Sequence, residues 1–197
     1  MSHRTPLFHA TIYTNLDAIE FLLKNGADMY TVQYDCATAL HIYLLNIGNS
    51  EGGRSTEYDS RILIAYQKNG FDVSIKDIAG YNIIHTLSMQ NLIDPWHIFE
   101  KQITNYNDPI PEGYTPLFMS IATQNFNSTK FILEHGVDVN SIDPNGASPI
   151  FYAVINKNKE LFTILSHYKL DLSIKDKTAK TVFDYADDEF KELLNDL

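Results

Sequence analysis

A short phrase returns along this chain at a fixed interval, and that spacing constrains the fold more than any single residue does. "TPLF" begins at Thr5, and related phrases begin as "TALH" at Thr38, "NIIH" at Asn82, "TPLF" at Thr115, "SPIF" at Ser148 and "TVFD" at Thr181. The separations are 33, 44, 33, 33 and 33 residues. A second column, Asp28, Asp72, Asn105, Asp138 and Asp171, is spaced 44, 33, 33 and 33 residues. Both columns carry one long interval at the same place, so the second repeat holds an insertion of 11 residues. A unit this short cannot bury its own apolar face. Stacked neighbours bury it together, which makes the repeat itself the unit of folding.

Each unit reads as a pair of helices. Thr or Ser before Pro starts a helix well, because the hydroxyl accepts a backbone N–H and Pro suits the first turn. Apolar residues then recur at helical spacing, as in Ile19, Leu22 and Leu23, or Phe131, Ile132 and Leu133. Gly26, Gly70 and Gly136 fall just past the second helices, where a left-handed cap requires a residue without Cβ.

Period and phrases together resemble the ankyrin repeat, whose pattern runs D-x-x-G-x-T-P-L-H-x-A, a helix pair, then G-A-D-V-N. "TPLFHA…FLLKNGADMY" in the first repeat and "GYTPLFMSIA…FILEHGVDVN" in the fourth carry the likeness. The resemblance implies an all-α ankyrin-repeat solenoid of about five helix-turn-helix repeats with β-turn or hairpin fingers and a C-terminal cap. It implies one domain over 1–197, with repeats near 5–37, 38–81, 82–114, 115–147 and 148–180, the insertion near 49–59 and a cap over 181–197. The third repeat is degenerate, with Asn82 at the Thr position and Ile103 where the cap glycine belongs; Lys169 replaces that glycine in the fifth. No polar capping repeat precedes Thr5. Trp96, beside the helix start at Asp94 and Pro95, is either a partner anchor or packing against the neighbouring repeat.

Composition narrows the function classes. A net charge of −10 and a pI near 5.0 argue against nucleic acid, since a phosphate backbone rewards clustered Lys and Arg. They argue equally against an anionic membrane surface, and favour a basic protein partner. With one cysteine, Cys36, no intrachain disulfide or multi-cysteine metal site can form, and a cytosolic compartment is expected, the host cytosol for a secreted effector. No leader sequence and no apolar run of about 18 residues is present.

No catalytic residue, cofactor site or metal site is predicted. His41 and His85 are the "H" of the repeat phrase, and the resemblance implies that their imidazoles bond within the turn and helix start. The other five histidines are scattered without i, i+4 pairing. No phosphate-loop or dinucleotide motif occurs. Cys36 lacks a histidine aimed at it and is read as inert.

What remains is binding. The resemblance places variable surfaces at the finger tips and on the concave face of the first helices. Finger positions are Tyr34 and Asp35, Ile78, Ala79 and Tyr81, Pro144, Asn145 and Ala147, then Lys177, Thr178 and Lys180. Concave positions are Ile12 and Tyr13, Leu45 and Asn46, Met89 and Gln90, Ala122 and Thr123, Ile155 and Asn156. Ile12, Tyr13, Leu45, Met89 and Ile155 form an apolar row in this register, which marks either an interface or a slightly rotated, buried helix. The insertion adds Arg54 and Tyr58 as contacts or is a tolerated surface loop. The expected function is non-enzymatic recognition of one protein partner, first as a bacterial immunity protein neutralising a cognate, basic toxin. The alternatives are a secreted bacterial or viral effector docking onto host proteins, or a scaffold subunit. The expected state is a monomer or a weak homodimer through the uncapped N-terminal end.

Overall fold

The computed structural model describes residues 5–31, 37–47 and 58–197. Eleven α-helices and no β-strand occur among them, and they group into two compact units, 1–105 and 106–197.

In the first unit the helices come in pairs: α1 (Pro6–Ile12) with α2 (Leu16–Lys24), α3 (Ala39–Asn46) with α4 (Ser60–Lys68), and α5 (Ile83–Ser88) with α6 (Asp94–Phe99). The first members stack as α1 on α3 on α5, and the second members as α2 on α4 on α6. This double row buries Ile19, Leu40, Tyr43, Leu44, Ile62, Leu63, Tyr66, Leu87, Trp96 and Phe99. Trp96 is fully enclosed, so its role is packing. The second unit holds α7 (Pro116–Ala122) with α8 (Phe126–Glu134), α9 (Pro149–Ile155) with α10 (Lys159–Ser166), and a closing α11 (Asp188–Asn195). Leu117, Phe118, Ile132, Ile150, Phe151, Leu165 and Phe190 form its core.

The helix starts follow the capping argument in part. The Thr5 hydroxyl accepts the Phe8 N–H at 3.1 Å and Asn82 Oδ1 accepts the His85 N–H at 3.2 Å. At Thr115 and Ser148 the side chain makes no such bond, although Pro stands at the first turn as expected. At the other helix ends, Gly26, Gly70 and Gly136 take φ of +78°, +78° and +80°. Where glycine is replaced, the chain ends the helix differently. In the third repeat α6 tightens into a 3-10 turn, Glu100–Gln102, before Ile103 at φ −77°. In the fifth, α10 closes at His167 with φ −76°.

Within three of the pairs, the link between helices is a left-handed turn made without glycine. Thr14, Gln124 and Lys157 have φ of +54°, +58° and +53°. The next residue is Asn each time, and its N–H bonds back across the turn: Asn15 to Ala10 O at 2.9 Å, Asn125 to Ser120 O at 2.8 Å, Asn158 to Ala153 O at 2.7 Å. Asn15 and Asn158 also cap the second helix, accepting the Ala18 and Leu161 N–H groups at 3.1 and 2.9 Å. This turn reverses the chain within three residues, 13–15, 123–125 and 156–158.

Candidate functional site

Three of the four described fingers are built on aspartate, and in the fourth Ile110 stands in its place. Asp77 Oδ1 accepts the Tyr81 N–H at 2.8 Å; Asp143 Oδ1 accepts the Asn145 and Ala147 N–H groups at 2.8 Å each. Asp176 Oδ1 accepts those of Thr178 and Lys180 at 2.8 and 3.1 Å. Such turns are the local structure that Asp favours. Each finger then closes on a residue with positive φ: Gly80, Gly113, Gly146, and Ala179 at +63°. The hydroxyl of Tyr185, followed by that of Thr178, holds the Asp176 carboxyl down at about 2.

Neighbouring fingers of the second unit lie close. The Lys177 N–H donates to Asn145 O at 2.8 Å. A Cβ at Gly146 would stand 3.2 Å from Asp176 Cα and Lys177 N, both backbone atoms. Gly136, at the same φ of +80°, has nothing within 4 Å of its Cβ position. Gly136→Ala is therefore expected to cost about 1 kcal/mol for the left-handed backbone alone. Gly146→Ala should cost about 2 kcal/mol, the excess being the close approach. Urea unfolding of both variants checks this, and equal losses would sink the argument.

The base of the fingers is tied across repeats in two chemically different ways. Asn140 donates to Lys169 O at 2.9 Å and accepts the Asp171 N–H at 2.8 Å. In the first unit a tyrosine hydroxyl does the same work, Tyr30 accepting the Asp72 N–H at 2.8 Å and lying 3.4 Å from Gly70 O.

The phrase histidines are internal. His41 Nδ1 lies 2.8 Å from Thr38 Oγ1, and the Asn82 N–H donates to His85 Nδ1 at 3.1 Å. Both rings are fully enclosed. Burial pushes the His41 imidazole down to about 4, against the smaller, opposing pull of Asp77.

The residues singled out by spacing divide into four groups. Ile78, at 76% exposed, Tyr13 at 54%, Ile155 at 51% and Leu45 at 39% stand in solvent on fingers or first helices. Thr123, Asn145 and Asn156 are exposed polar neighbours. Ile12, Tyr81, Met89, Gln90 and Pro144 are half-buried, Tyr81 lying edge-on to His85 with centroids 5.8 Å apart. Tyr58 is half-buried with its hydroxyl enclosed, and burial pushes that hydroxyl up. Tyr34, Asp35, Arg54 and Cys36 lie outside the described residues.

Spacing missed Ile142, 58% exposed one residue before the finger aspartate. It also missed a cavity of about 270 Å³ where finger meets first helix in the second unit, lined by Asp143, Asn145, Ala147, Phe151, Tyr152, Ile155, Asn156 and Asp176. The Tyr152 hydroxyl donates to Asp143 Oδ2 at 2.7 Å, and the Tyr185 hydroxyl donates to Asp176 Oδ2. The cavity gathers four of the residues chosen from sequence, Asn145, Ala147, Ile155 and Asn156. A larger hollow of about 480 Å³ against α8 and α10 gathers none of them. Among the described residues, no three His, Cys, Asp or Glu side chains come together as metal ligands.

Known proteins agree with this geometry. A family model of ankyrin repeats in three copies matches residues 79–176, and a single-repeat ankyrin model matches 2–30. A putative ankyrin repeat protein of Borreliella burgdorferi is 37% identical over 67 residues, 34% of this chain and 31% of that protein. The chain thus spans about a third of that relative's length. One from fowlpox virus is 24% identical over 187 residues, 78% of this chain and 94% of the viral protein. Among solved structures, the ankyrin repeat domain of Bcl-3 superposes with a TM-score of 0.78 at 18% identity, over 94% of this chain and 80% of that one. The ankyrin repeat protein EF0377 superposes with a TM-score of 0.79 at 18% identity, over 98% and 95%. With the 33-residue period, the paired helices and the aspartate-built fingers all matching, this chain belongs to the ankyrin-repeat family.

Proposed function

We propose that this chain recognises one protein partner through its fingers and first helices. Ankyrin repeats are protein-interaction modules, and the observation that carries this reading is the exposed apolar set Tyr13, Leu45 and Ile78 in the first unit, with Ile142 and Ile155 in the second. Large apolar side chains left in water on fingers and first helices are what an interface buries, and Phe21, 67% exposed on α2, is the exception on the other row. The partner is basic, as a net charge of −10 favours. Neutralising a cognate basic toxin in the cytosol is the first specific role. Docking onto host proteins is the second.

Photo-crosslinking side chains at Ile78 and Ile155 should capture the partner, and the same group at Lys130 on the opposite row should not. Against the captured protein, Ile78→Asp and Ile155→Asp should each weaken binding by about 2 kcal/mol with an unchanged helical signal. Capture from Lys130 alone, or unaltered affinity in both variants, overturns the reading.

A further inference from the structure

We infer that the outer end of the first repeat, centred on Phe21 of α2, is the face on which a second copy of this chain docks, with the two α2 helices antiparallel about a two-fold axis. The inference goes beyond the partner surface proposed above, because the fingers take no part in it.

The later repeats show what this position does. In the second repeat the equivalent residue is Ala65, buried in α4, the helix that packs on α2. In the fourth it is Phe131, 4% exposed, with Tyr106 of the repeat before tilted over it at 6.3 Å between ring centroids. In the fifth it is Ile164, also buried. Phe21 itself is 67% exposed. Its surroundings change in the same sense: Leu22 is half-buried where Ile132 and Leu165 are buried, and Pro6 is exposed where Pro116 and Pro149 are buried. The first repeat therefore offers an apolar packing face that nothing among the described residues covers, and such a face is what an interface buries.

The charges beside that face point to its occupant. Asp17, Phe21 and Lys24 fall at i, i+4 and i+7 of α2, so they form one stripe, acidic in the first turn, aromatic in the middle and basic in the last turn. All three are exposed, and among the described residues neither charge has an ion-pair partner within 4.0 Å. Glu20 and Asp17 both act on Arg61, but the Arg61 fork is turned onto Asp59. A stripe that runs from minus to plus is complementary to its own reverse. Two α2 helices laid antiparallel set Phe21 against its copy and Asp17 against the second copy's Lys24, once at each end. The opposed helix dipoles add to this. A strongly basic partner would meet Lys24 as a like charge, whereas a second copy answers the whole stripe. The face is one helix pair wide, so the dimer is weak, with a dissociation constant on the order of 100 µM. Leu45 and Ile78 lie on later repeats, outside this face, so the dimer carries the partner surface twice.

Sedimentation equilibrium of the full chain between about 10 µM and about 1 mM should show monomer and dimer in exchange. Phe21→Asp should weaken the dimer at least about tenfold with an unchanged helical signal, since the side chain is exposed in the monomer. Asp17→Lys and Lys24→Asp should each weaken it at least about threefold, by setting like charges together at both ends. Both swaps in one chain should restore the dimer, and an equimolar mixture of the two single variants should form a heterodimer, because each then faces its complement. A monomer throughout the range overturns the inference. A dimer indifferent to Phe21→Asp overturns it too, by placing the contact elsewhere. So does a double swap no better than either single one, which would exclude the antiparallel pairing.

Discussion

Replacing Trp96 by alanine is expected to cost about 3–5 kcal/mol, the largest effect of any single substitution considered. The side chain is fully enclosed in the first turn of α6, the helix that packs on α4. Phe99, one turn on, is equally enclosed, and Ile62, Leu63 and Tyr66 of α4 are also fully buried. Truncation removes the transfer free energy of an indole and leaves a void that short helices of six and nine residues can collapse around only in part. α6 has no side-chain cap at Ile93 and no glycine at its end, so packing supplies most of its stability. Urea unfolding followed by circular dichroism measures the loss. A loss below about 1 kcal/mol together with weakened partner binding would return Trp96 to the role of a partner anchor.

Trp96 also shows where sequence runs out. Its neighbours Asp94 and Pro95 announce a helix start, but a lone tryptophan there reads equally as anchor or as packing, and only the position of α4 decides. The fold itself was legible because two columns of residues share one period, which fixes repeat length and pairing before any helix is assigned. The exposed face was legible in part. A four-residue phrase sets the register of each first helix to within one residue, and that suffices for Tyr13, Leu45 and Ile155. It does not separate them from Ile12 and Met89, which the helix turns half-inward. Thr14, Gln124 and Lys157 gave no sign of their left-handed backbone, because the signal used for such turns is glycine and the hydrogen bonds of the turn impose it here instead. Tyr30 likewise stands where the fourth repeat has Asn140, and no residue-type rule equates a phenol with an amide. The equivalence lies in where the hydroxyl reaches, the Asp72 N–H. The cavity at Asp143 and Asp176 was hidden for the same reason: each aspartate reads locally as a turn residue, and only adjacent fingers bring both to one hollow.

Acidification should destabilise the protein between about pH 6.5 and 4.5, by on the order of 2–3 kcal/mol, through His41. In the folded chain burial holds this imidazole at about 4, whereas in the unfolded chain it titrates near 6.5. Between those values the unfolded state carries a proton that the native state does not, so the unfolded state binds more protons and stability falls as pH falls. The contribution is fully present above about pH 6.5 and is lost progressively as pH drops towards about 4. Two charged or titratable groups face the ring. Asp77 favours the protonated form and His85 opposes it, and neither outweighs burial. Carboxylates held low by their hydrogen bonds, Asp176 at about 2 above all, release their stabilisation at lower pH, so the window down to 4.5 separates imidazole from carboxylate effects, and the His41 variant assigns the residue. Urea unfolding at pH 7.5 and 4.5 measures the loss, and His41→Asn should flatten the dependence. A folded-state titration of His41 near 6.5 by NMR, or an unchanged pH slope in the variant, would place the acid sensitivity elsewhere. The same protonation would act on binding, because Asp77 and the Tyr81 backbone, which make the turn of the finger carrying Ile78, lie against the His41 ring. Below about pH 5 the loss of partner affinity at Ile78 should therefore precede global unfolding, seen as weakened binding while the helical signal is still intact.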